Sequence, residues 1–399
     1  MNYPYSKYIG FAPKLRNALG DLFMQGSLPP IRGEWIIVDP NSVNKVDGSV
    51  GDITTAYGLC VDERGDGILL MSSGNSTAET TSYMTQGIDW VKEGITVVGA
   101  CAPVSMYQRA RVASKSVTTG ALTTIAFPTT KTITDSASGF ITAGFKVGMN
   151  ITIDTAQGSN DGNATITGVT SGTITCSGAT FTVQTAAAAG ATTIINYIPY
   201  LIDVQASNCA FMNLSMGNWL DTANDVGCVK VTGARNYFGN VHMVGGGGAT
   251  SGSQVGSYDL MLDGSEETRF DGCVFGTDTI LKAAANGEVL IDGLAQRAEF
   301  NGCKFFSSSA TAGKGAVKTA DAAAMQGVFT FAGCQFINWT SNGITTIDDV
   351  FIGTAPTSGA FAVTPDCISV GYTGWGNNVY VATAAAAATA GGQIATVEA

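Results

Sequence analysis

The stretch RFDGCVF, residues 269–275, decides the fold, because it returns as EFNGCKF at 299–305 and as TFAGCQF at 330–336. Its first Phe recurs after 30 and then 31 residues, and Phe211 and Phe238 lie at related positions upstream. A period of about 20–50 residues is typical of proteins built from stacked repeats. The sequence is therefore predicted to fold as a series of similar turns.

The repeat unit is a β unit. Counted from the first Phe, the first, fourth and sixth positions are apolar, and the third is Gly or Asn, residues that tolerate a positive φ. A second short strand precedes the motif in each repeat, as in residues 260–263 and 289–292. Short strands separated by turns at this spacing predict a coil whose turns stack in parallel, with like residues above one another.

Stacked turns place equivalent side chains in interior ladders. The predicted ladders consist of Phe270, Phe300 and Phe331 and of Cys273, Cys303 and Cys334. A free Cys is a small, adaptable apolar side chain. A disulfide between turns is disfavoured, because parallel strands lie about 4.8 Å apart whereas bonded Cβ atoms lie about 3.8 Å apart. The cysteines are therefore interpreted as structural.

Composition excludes several classes of function. The 399-residue chain has 13% charged residues and a net charge of −11, which disfavours binding to a nucleic-acid backbone. Its one histidine, His242, excludes a zinc site of the HExxH type, and no CxxC pair is present. No cofactor is predicted. No apolar run is long enough for a membrane span, which needs about 20 residues.

The chain divides into five predicted segments. They are an N-terminal arm with a short helix (1–33), the first β-helix turns (34–116), an inserted small antiparallel β domain (117–195), the main turns (196–375) and an Ala-rich tail (376–399). The insert is recognised by its own rhythm of Thr-rich strands and by the hairpin signal Asp161-Gly162.

The arm combines aromatic residues with a helical apolar face. The aromatic residues are Tyr3, Tyr5, Tyr8 and Phe11, and the apolar face is Leu15, Leu19, Leu22 and Phe23. Two interpretations stay open. The helix packs on its own domain, or the arm docks on a neighbouring subunit.

Two resemblances extend this picture. The stretches DGILL (66–70) and GITVVG (94–99) resemble the first turns of the pectate-lyase-like right-handed parallel β-helix superfamily. The stretches GITVVGACAP (94–103) and QRARV (108–112) resemble β-helical structural proteins of tailed bacteriophages. Within the insert, ITDS (133–136), GFKVG (144–148) and SNDG (159–162) resemble a small β module of phage virion proteins. The resemblance implies an all-β, right-handed parallel β-helix (solenoid) with an inserted antiparallel β domain and an N-terminal arm.

Acidic residues are the candidates for chemistry. Asp263 and Asp292 occupy matching positions of neighbouring turns, with Glu266, Glu267 and Glu299 close by in sequence. A glycosidase uses two carboxyl groups about 5–10 Å apart, one with a raised pKa. The alternative, which the sequence favours, is that these acids belong to turns on a solvated face. No catalytic residue is therefore assigned.

The main functional prediction is a non-enzymatic phage virion protein that decorates or reinforces the capsid as a trimer of short coils, with seven or eight turns each. Its partners would be its own copies, the major capsid protein or other virion proteins, without nucleic acid or membrane. It would be assembled in the bacterial cytoplasm and located on the capsid surface. The alternative is a tailspike or fibre that binds host surface glycans, with or without cleaving them. A free secreted pectinolytic enzyme is disfavoured, because no signal peptide or catalytic cluster is recognised.

Overall fold

The computed structural model describes residues 31–41, 46–71, 81–100, 110–283, 285–340, 343–376, 379–387 and 393–397. The eight arm residues named above, from Tyr3 to Phe23, lie outside these ranges. So does Cys101, one of the nine cysteines of the chain. The predicted arm and its docking role stay predictions.

Nearly all regular structure in the described residues is β. The strands before the insert are β1 Trp35–Val38, β2 Gly67–Met71, β3 Thr81–Met84, β4 Ile88–Trp90, β5 Thr96–Ala100 and β6 Arg111–Ser114. The strands of the insert are β7 Thr118–Leu122, β8 Ile125–Thr129, β9 Thr132–Asp135, β10 Asn150–Thr155, β11 Gly162–Val169, β12 Thr173–Ser177 and β13 Thr192–Tyr197. The strands after the insert are β14 Tyr200–Val204, β15 Ala210–Met212, β16 Ser215–Gly217, β17 Gly227–Val231, β18 Tyr237–Gly239, β19 His242–Val244, β20 Tyr258–Asp263, β21 Arg269–Asp271, β22 Val274–Gly276, β23 Val289–Asp292, β24 Ala295–Gln296, β25 Glu299–Asn301, β26 Lys304–Ser307, β27 Val317–Thr319, β28 Met325–Ala332, β29 Gln335–Asn338, β30 Phe351–Gly353, β31 Ser358–Val363, β32 Ile368–Val370, β33 Val379–Ala387 and β34 Gln393–Val397. The helices are α1 Ile53–Leu59, α2 Phe140–Ala143 and α3 Ala186–Ala189, with a 3-10 turn at Ser251–Ser253.

Three long sheets form the wall of the coil. Sheet A runs β1-β2-β5-β15-β18-β21-β25-β28-β31-β33-β34, sheet B runs β3-β6-β16-β19-β22-β26-β29-β32, and sheet C runs β30-β27-β23-β20-β17-β14-β4. Neighbouring strands are parallel, apart from the antiparallel pair of β33 and β34. Each full turn passes from sheet C to sheet A to sheet B, as β20, β21 and β22 do. The predicted parallel β-helix is confirmed, with about 10 turns rather than the predicted seven or eight.

Stacked phenylalanines fill the interior of the coil. Phe270, Phe300 and Phe331 are fully buried and lie in register on sheet A, with successive ring centroids 4.7 Å apart. A second stack, Phe275 and Phe305, lines sheet B with centroids 4.9 Å apart. Offset stacking of this kind adds about 0.5–1.5 kcal/mol per pair to the burial of apolar surface.

The cysteine ladder lies beside the phenylalanines. Cys273, Cys303 and Cys334 are buried, and each thiol contacts a backbone carbonyl of the preceding turn, such as Phe238 O at 3.3 Å from Cys273 Sγ. All eight cysteines in the described part of the chain are buried and free. Burial raises the pKa of the Cys303 thiol well above its usual value, which keeps it unreactive.

Left-handed residues set the corner between sheets A and B. The motif's third position has a positive φ in successive turns, occupied by Asn240, Gly272, Gly302 and Gly333. A second left-handed position lies three residues before Phe238, Phe270 and Phe300, at Arg235, Glu267 and Arg297. The sequence motif predicted the first position but not the second, because non-glycine residues occupy it.

The insert forms a separate antiparallel sheet, ordered β7-β13-β10-β11-β12-β9-β8, with a hydrophobic core of its own. Buried Asn196 joins it to the coil. Its Oδ1 accepts a hydrogen bond from Val117 N, and its Nδ2 donates to the carbonyls of Thr85 and Lys115. Among the described residues, none of the helices has the length and apolarity needed to cross a bilayer.

Candidate functional site

The outer face of sheet C carries a group of polar side chains on consecutive turns. In β14 and β17, Asp203 and Lys230 each lie between two apolar residues that point into the core, so both point outward. The two residues are register partners on neighbouring strands, and Asp89 precedes Asp203 in the same row. Successive side chains of a strand point to opposite faces of the sheet. The ionisable side chains of these neighbouring strands therefore lie on the same outer surface.

Lys230 is the centre of this group. Its Nζ lies 2.8 Å from Asp263 Oδ2, and both side chains are partly exposed, at 23% and 30%. Partial burial acts to lower the pKa of Lys230. The hydrogen bond to Asp263 and the charges of Asp203 and Asp292 outweigh it and raise that pKa. One ammonium group therefore faces three carboxyl groups.

Asp203 differs from its neighbours in its environment. Partial burial raises its pKa, although the Gln205 hydrogen bond and the Lys230 charge oppose this effect, and the charges of Asp89 and Asp263 add to it. Its Oδ2 accepts a hydrogen bond from Gln205 Nε2 at 3.1 Å, whereas its Oδ1 is buried without a hydrogen-bond partner in the described structure. A carboxyl group that holds its proton more tightly than usual is suited to act as a general acid.

Tyr200 forms one border of the group. A Cβ at Gly227 would lie 2.1 Å from the Tyr200 ring, so the ring lies across β17 where only glycine leaves room. The Tyr200 hydroxyl lies 3.2 Å from Met261 Sδ. Burial, with the charges of Asp263, Asp203 and Asp292, raises the pKa of Tyr200 to about 12. We call Tyr200, Asp203, Lys230, Asp263 and Asp292 the carboxylate surface.

The structure brings together two of the five predicted acids. Asp263 and Asp292 are register partners on β20 and β23, a backbone separation of about 4.8 Å. The three glutamates lie elsewhere. Glu267 pairs with Arg297 at 3.0 Å, Glu299 lies 3.9 Å from Arg269 beside sheet A, and Glu266 is in a bridge to Gln296.

Three members of the carboxylate surface were not predicted from the sequence as site residues. Asp203 and Lys230 lie in strand segments (201–204 and 228–231) that the sequence identified only as repeats of an apolar pattern, and Tyr200 directly precedes the first of them. The available signal was the polar residue between two apolar ones in IDV (202–204) and VKV (229–231). Aligning those strands turn by turn would have placed Asp203 beside Lys230.

Other candidate chemistry does not reach this surface. His242 is fully buried on sheet B, where its Nε2 lies 2.9 Å from Gly276 O, and burial lowers its pKa. Within the described ranges, no group of three or more His, Cys, Asp or Glu side chains could hold a metal ion.

Comparison with known proteins gives likeness of fold only. No family model and no curated protein matches the chain. Among solved structures, it is similar to the pectin methylesterase PemA of Erwinia chrysanthemi, with 10% identity, TM-score 0.33 and coverage of 91% of this chain and 92% of that one. It is also similar to the tailspike gp49 of Pseudomonas phage LKA1, with 12% identity, TM-score 0.24 and coverage of 79% and 66%. A third similar structure, Geobacillus virus E2 ORF18, has 10% identity, TM-score 0.35 and coverage of 93% and 63%.

These comparisons correct one prediction. The sequence-based assignment of the chain as a non-enzyme is wrong as it stands, because the similar folds include pectin methylesterases. The assignment rested on finding no catalytic cluster in the sequence, and it overlooked Asp203 and Lys230, which become neighbours only when the turns stack. The likeness itself describes the fold and identifies no reaction.

Proposed function

We propose that this chain is a phage virion protein of the tailspike or fibre kind, and that its carboxylate surface binds and cleaves host surface glycans. The observation that carries the proposal is the placement of Asp203, Lys230 and Asp263 on consecutive turns of one partly exposed sheet face. The association with phages rests on the sequence resemblance of residues 94–112 and of the insert.

The carboxylate surface has the chemical groups that sugars require. Asp263 and Asp292 offer acceptor oxygens for sugar hydroxyls, and Lys230 offers donors. Tyr200 combines an apolar ring with a polar tip, as residues at glycan-binding surfaces do. A surface with three carboxyl groups and one amine favours a neutral glycan over a polyanionic one, because like charges repel.

The same groups divide into two roles in glycoside cleavage. Asp203, whose proton is held more tightly, would protonate the leaving glycosidic oxygen. Asp263, two strands away on β20, would act as the second carboxylate, as base or as nucleophile. Lys230 Nζ, 2.8 Å from Asp263 Oδ2, orients that carboxyl group.

The location in the virion is a finer part of the proposal. A capsid decoration role depends on the arm, which lies outside the described residues, and it needs no partly exposed carboxyl group with a raised pKa. The tailspike or fibre role uses that group. Assembly as a homotrimer is kept as a proposal for either location.

The experiment uses the full-length protein with capsular polysaccharide and lipopolysaccharide from a panel of candidate hosts. Binding is measured by calorimetry and chain shortening by size-exclusion chromatography. We expect both with at least one neutral glycan, and we expect Asp203→Asn to abolish shortening while leaving binding within about tenfold.

The matched control is Asp271→Asn on sheet A. Asp271 is an outward acid with 29% exposure that is paired to Arg269 at 2.9 Å, closely matching Asp263 in exposure and pairing. We expect Asp263→Asn to weaken binding and Asp271→Asn to leave it unchanged. Equal effects of the two substitutions, or no binding to any glycan, would contradict the proposal.

A further inference from the structure

A second charged cluster lies inside the wall of the coil, between sheets B and C. It consists of Asp259, Lys282, Glu288 and Lys314, whose side chains are at most 2% exposed. Lys282 Nζ lies 2.8 Å from Asp259 Oδ1 and 2.7 Å from Glu288 Oε2, and Lys314 Nζ lies 2.8 Å from Glu288 Oε1. The proposed function makes no use of this cluster.

Asn286 completes the cluster. It is fully buried, and its Oδ1 accepts a hydrogen bond from Lys314 Nζ at 2.8 Å. Its Nδ2 donates to Ser257 O at 2.6 Å, which fixes the orientation of the amide plane. The Lys314 amine therefore lies between the side-chain carbonyl of Asn286 and the carboxylate of Glu288.

This arrangement is close to reactive geometry. The carbonyl carbon of Asn286 is one bond beyond the oxygen that Lys314 contacts. A small rotation of the lysine therefore brings Nζ to the separation of about 3–3.5 Å from which nucleophilic attack proceeds. Water is excluded, because every side chain involved is buried.

Burial favours an uncharged Lys314 amine. Burial lowers the pKa of Lys314, the Glu288 carboxylate opposes this effect, and the neighbouring Lys282 ammonium lowers the pKa further. Burial raises the pKa of Asp259, while the two lysines overcome burial and lower that of Glu288.

We propose that Lys314 and Asn286 form an intramolecular isopeptide bond, with Glu288 transferring the protons. The Nζ lone pair attacks Cγ of Asn286, and Glu288 takes a proton from the nitrogen. Glu288 then delivers that proton to the departing amide nitrogen, and the Cγ–Nδ2 bond breaks. One C–N bond forms, one C–N bond breaks and one ammonia leaves, so no oxidant or cofactor is required.

The bond would join the two segments that connect sheet B to sheet C in consecutive turns. Asn286 lies between β22 and β23, and Lys314 lies between β26 and β27. Backbone hydrogen bonds already hold these segments together, from Gly315 N to Asn286 O at 3.0 Å and from Lys282 N to Ser308 O at 2.9 Å. The covalent link therefore needs no rearrangement of the backbone.

Mass spectrometry of the purified full-length protein tests the proposal. We expect an intact mass lower than the sequence mass by one ammonia, and a branched tryptic peptide that joins Asn286 to Lys314. Lys314→Arg and Glu288→Gln should each abolish the branched peptide. The control Lys318→Arg, at a surface lysine of the next strand, should retain it.

Three results would overturn the proposal, and the first needs no variant. It is a wild-type mass equal to the sequence mass. A loss of ammonia that persists in Lys314→Arg would indicate a cyclic imide between Asn286 and Gly287. A loss of water, with Lys282 joined to Asp259, would place the cross-link at the other lysine.

Discussion

Phe270 and Phe300 stack face to face, with ring centroids 4.7 Å apart and planes 9° apart, although 30 residues separate them in sequence. This contact forms only if one turn of the chain comes to lie on the next. It links the repeat in the sequence directly to the interior of the coil.

Shortening this stack should destabilise the coil. Replacing Phe300 with Ala removes contacts to both neighbouring rings and leaves a cavity, at a cost of about 3–5 kcal/mol. The measurement is the midpoint of urea unfolding, compared between variant and wild type when both have the same m-value. Phe300→Leu is the control and should cost less. If Phe300→Ala lowers the free energy of unfolding by less than about 1 kcal/mol, the interior is loosely packed.

Replacing a non-glycine residue that has a positive φ with glycine should stabilise the protein. Leu294 has a φ of 64° and is 52% exposed, so it is strained without being well buried. Leu294→Gly should raise the free energy of unfolding by about 1 kcal/mol. Leu281 is similarly exposed, at 58%, and is not among the residues with positive φ, so Leu281→Gly should lower stability. An equal decrease in the free energy of unfolding of the two variants would contradict this explanation.

The raised pKa of Asp203 predicts a pH-dependent difference in stability. Folding favours the protonated form, so its contribution is fully present below the unfolded pKa of about 3.9 and is lost as pH rises through the folded pKa. Asp203→Asn should therefore be more stable than wild type at neutral pH, with the difference shrinking as pH falls towards 4. Thermal unfolding over this pH range measures it. A difference that grows on acidification would contradict the assignment.

The insert should be removable. Thr118 and Ile195 are register partners on β7 and β13, so a short Gly-Ser link can replace the insert while Val117 and Asn196 are kept. We expect the remaining coil to unfold cooperatively, because the insert has its own core. The control is the same deletion with Asn196→Ala, which should be less stable. Loss of the cooperative transition in the first variant would show that the insert is integral to the coil.

The sequence was sufficient for the fold because the repeat is carried by residues that face the core. Phe270, Phe300 and Phe331 and their neighbouring cysteines must be apolar in every turn, so their spacing is visible in one sequence. The same holds for Gly272, Gly302 and Gly333, whose positive φ restricts the residue type.

The carboxylate surface was only half predictable, because outward residues have no fixed type from turn to turn. The row through Asp203 continues as Lys230, Met261 and Leu290. No repeat marks such a row, and it becomes a site only when strand register is known. Asp263 and Asp292 were recognised because two like residues occur at equal positions.

The position of a bound oligosaccharide tests the central claim most directly. The measurement is a crystal structure of the full-length protein with a fragment of the glycan that it binds most tightly. The account predicts sugar hydroxyls within hydrogen-bond distance of Asp263 and Lys230, with the glycosidic oxygen beside Asp203. An oligosaccharide bound elsewhere, with the outer face of sheet C empty, would contradict it.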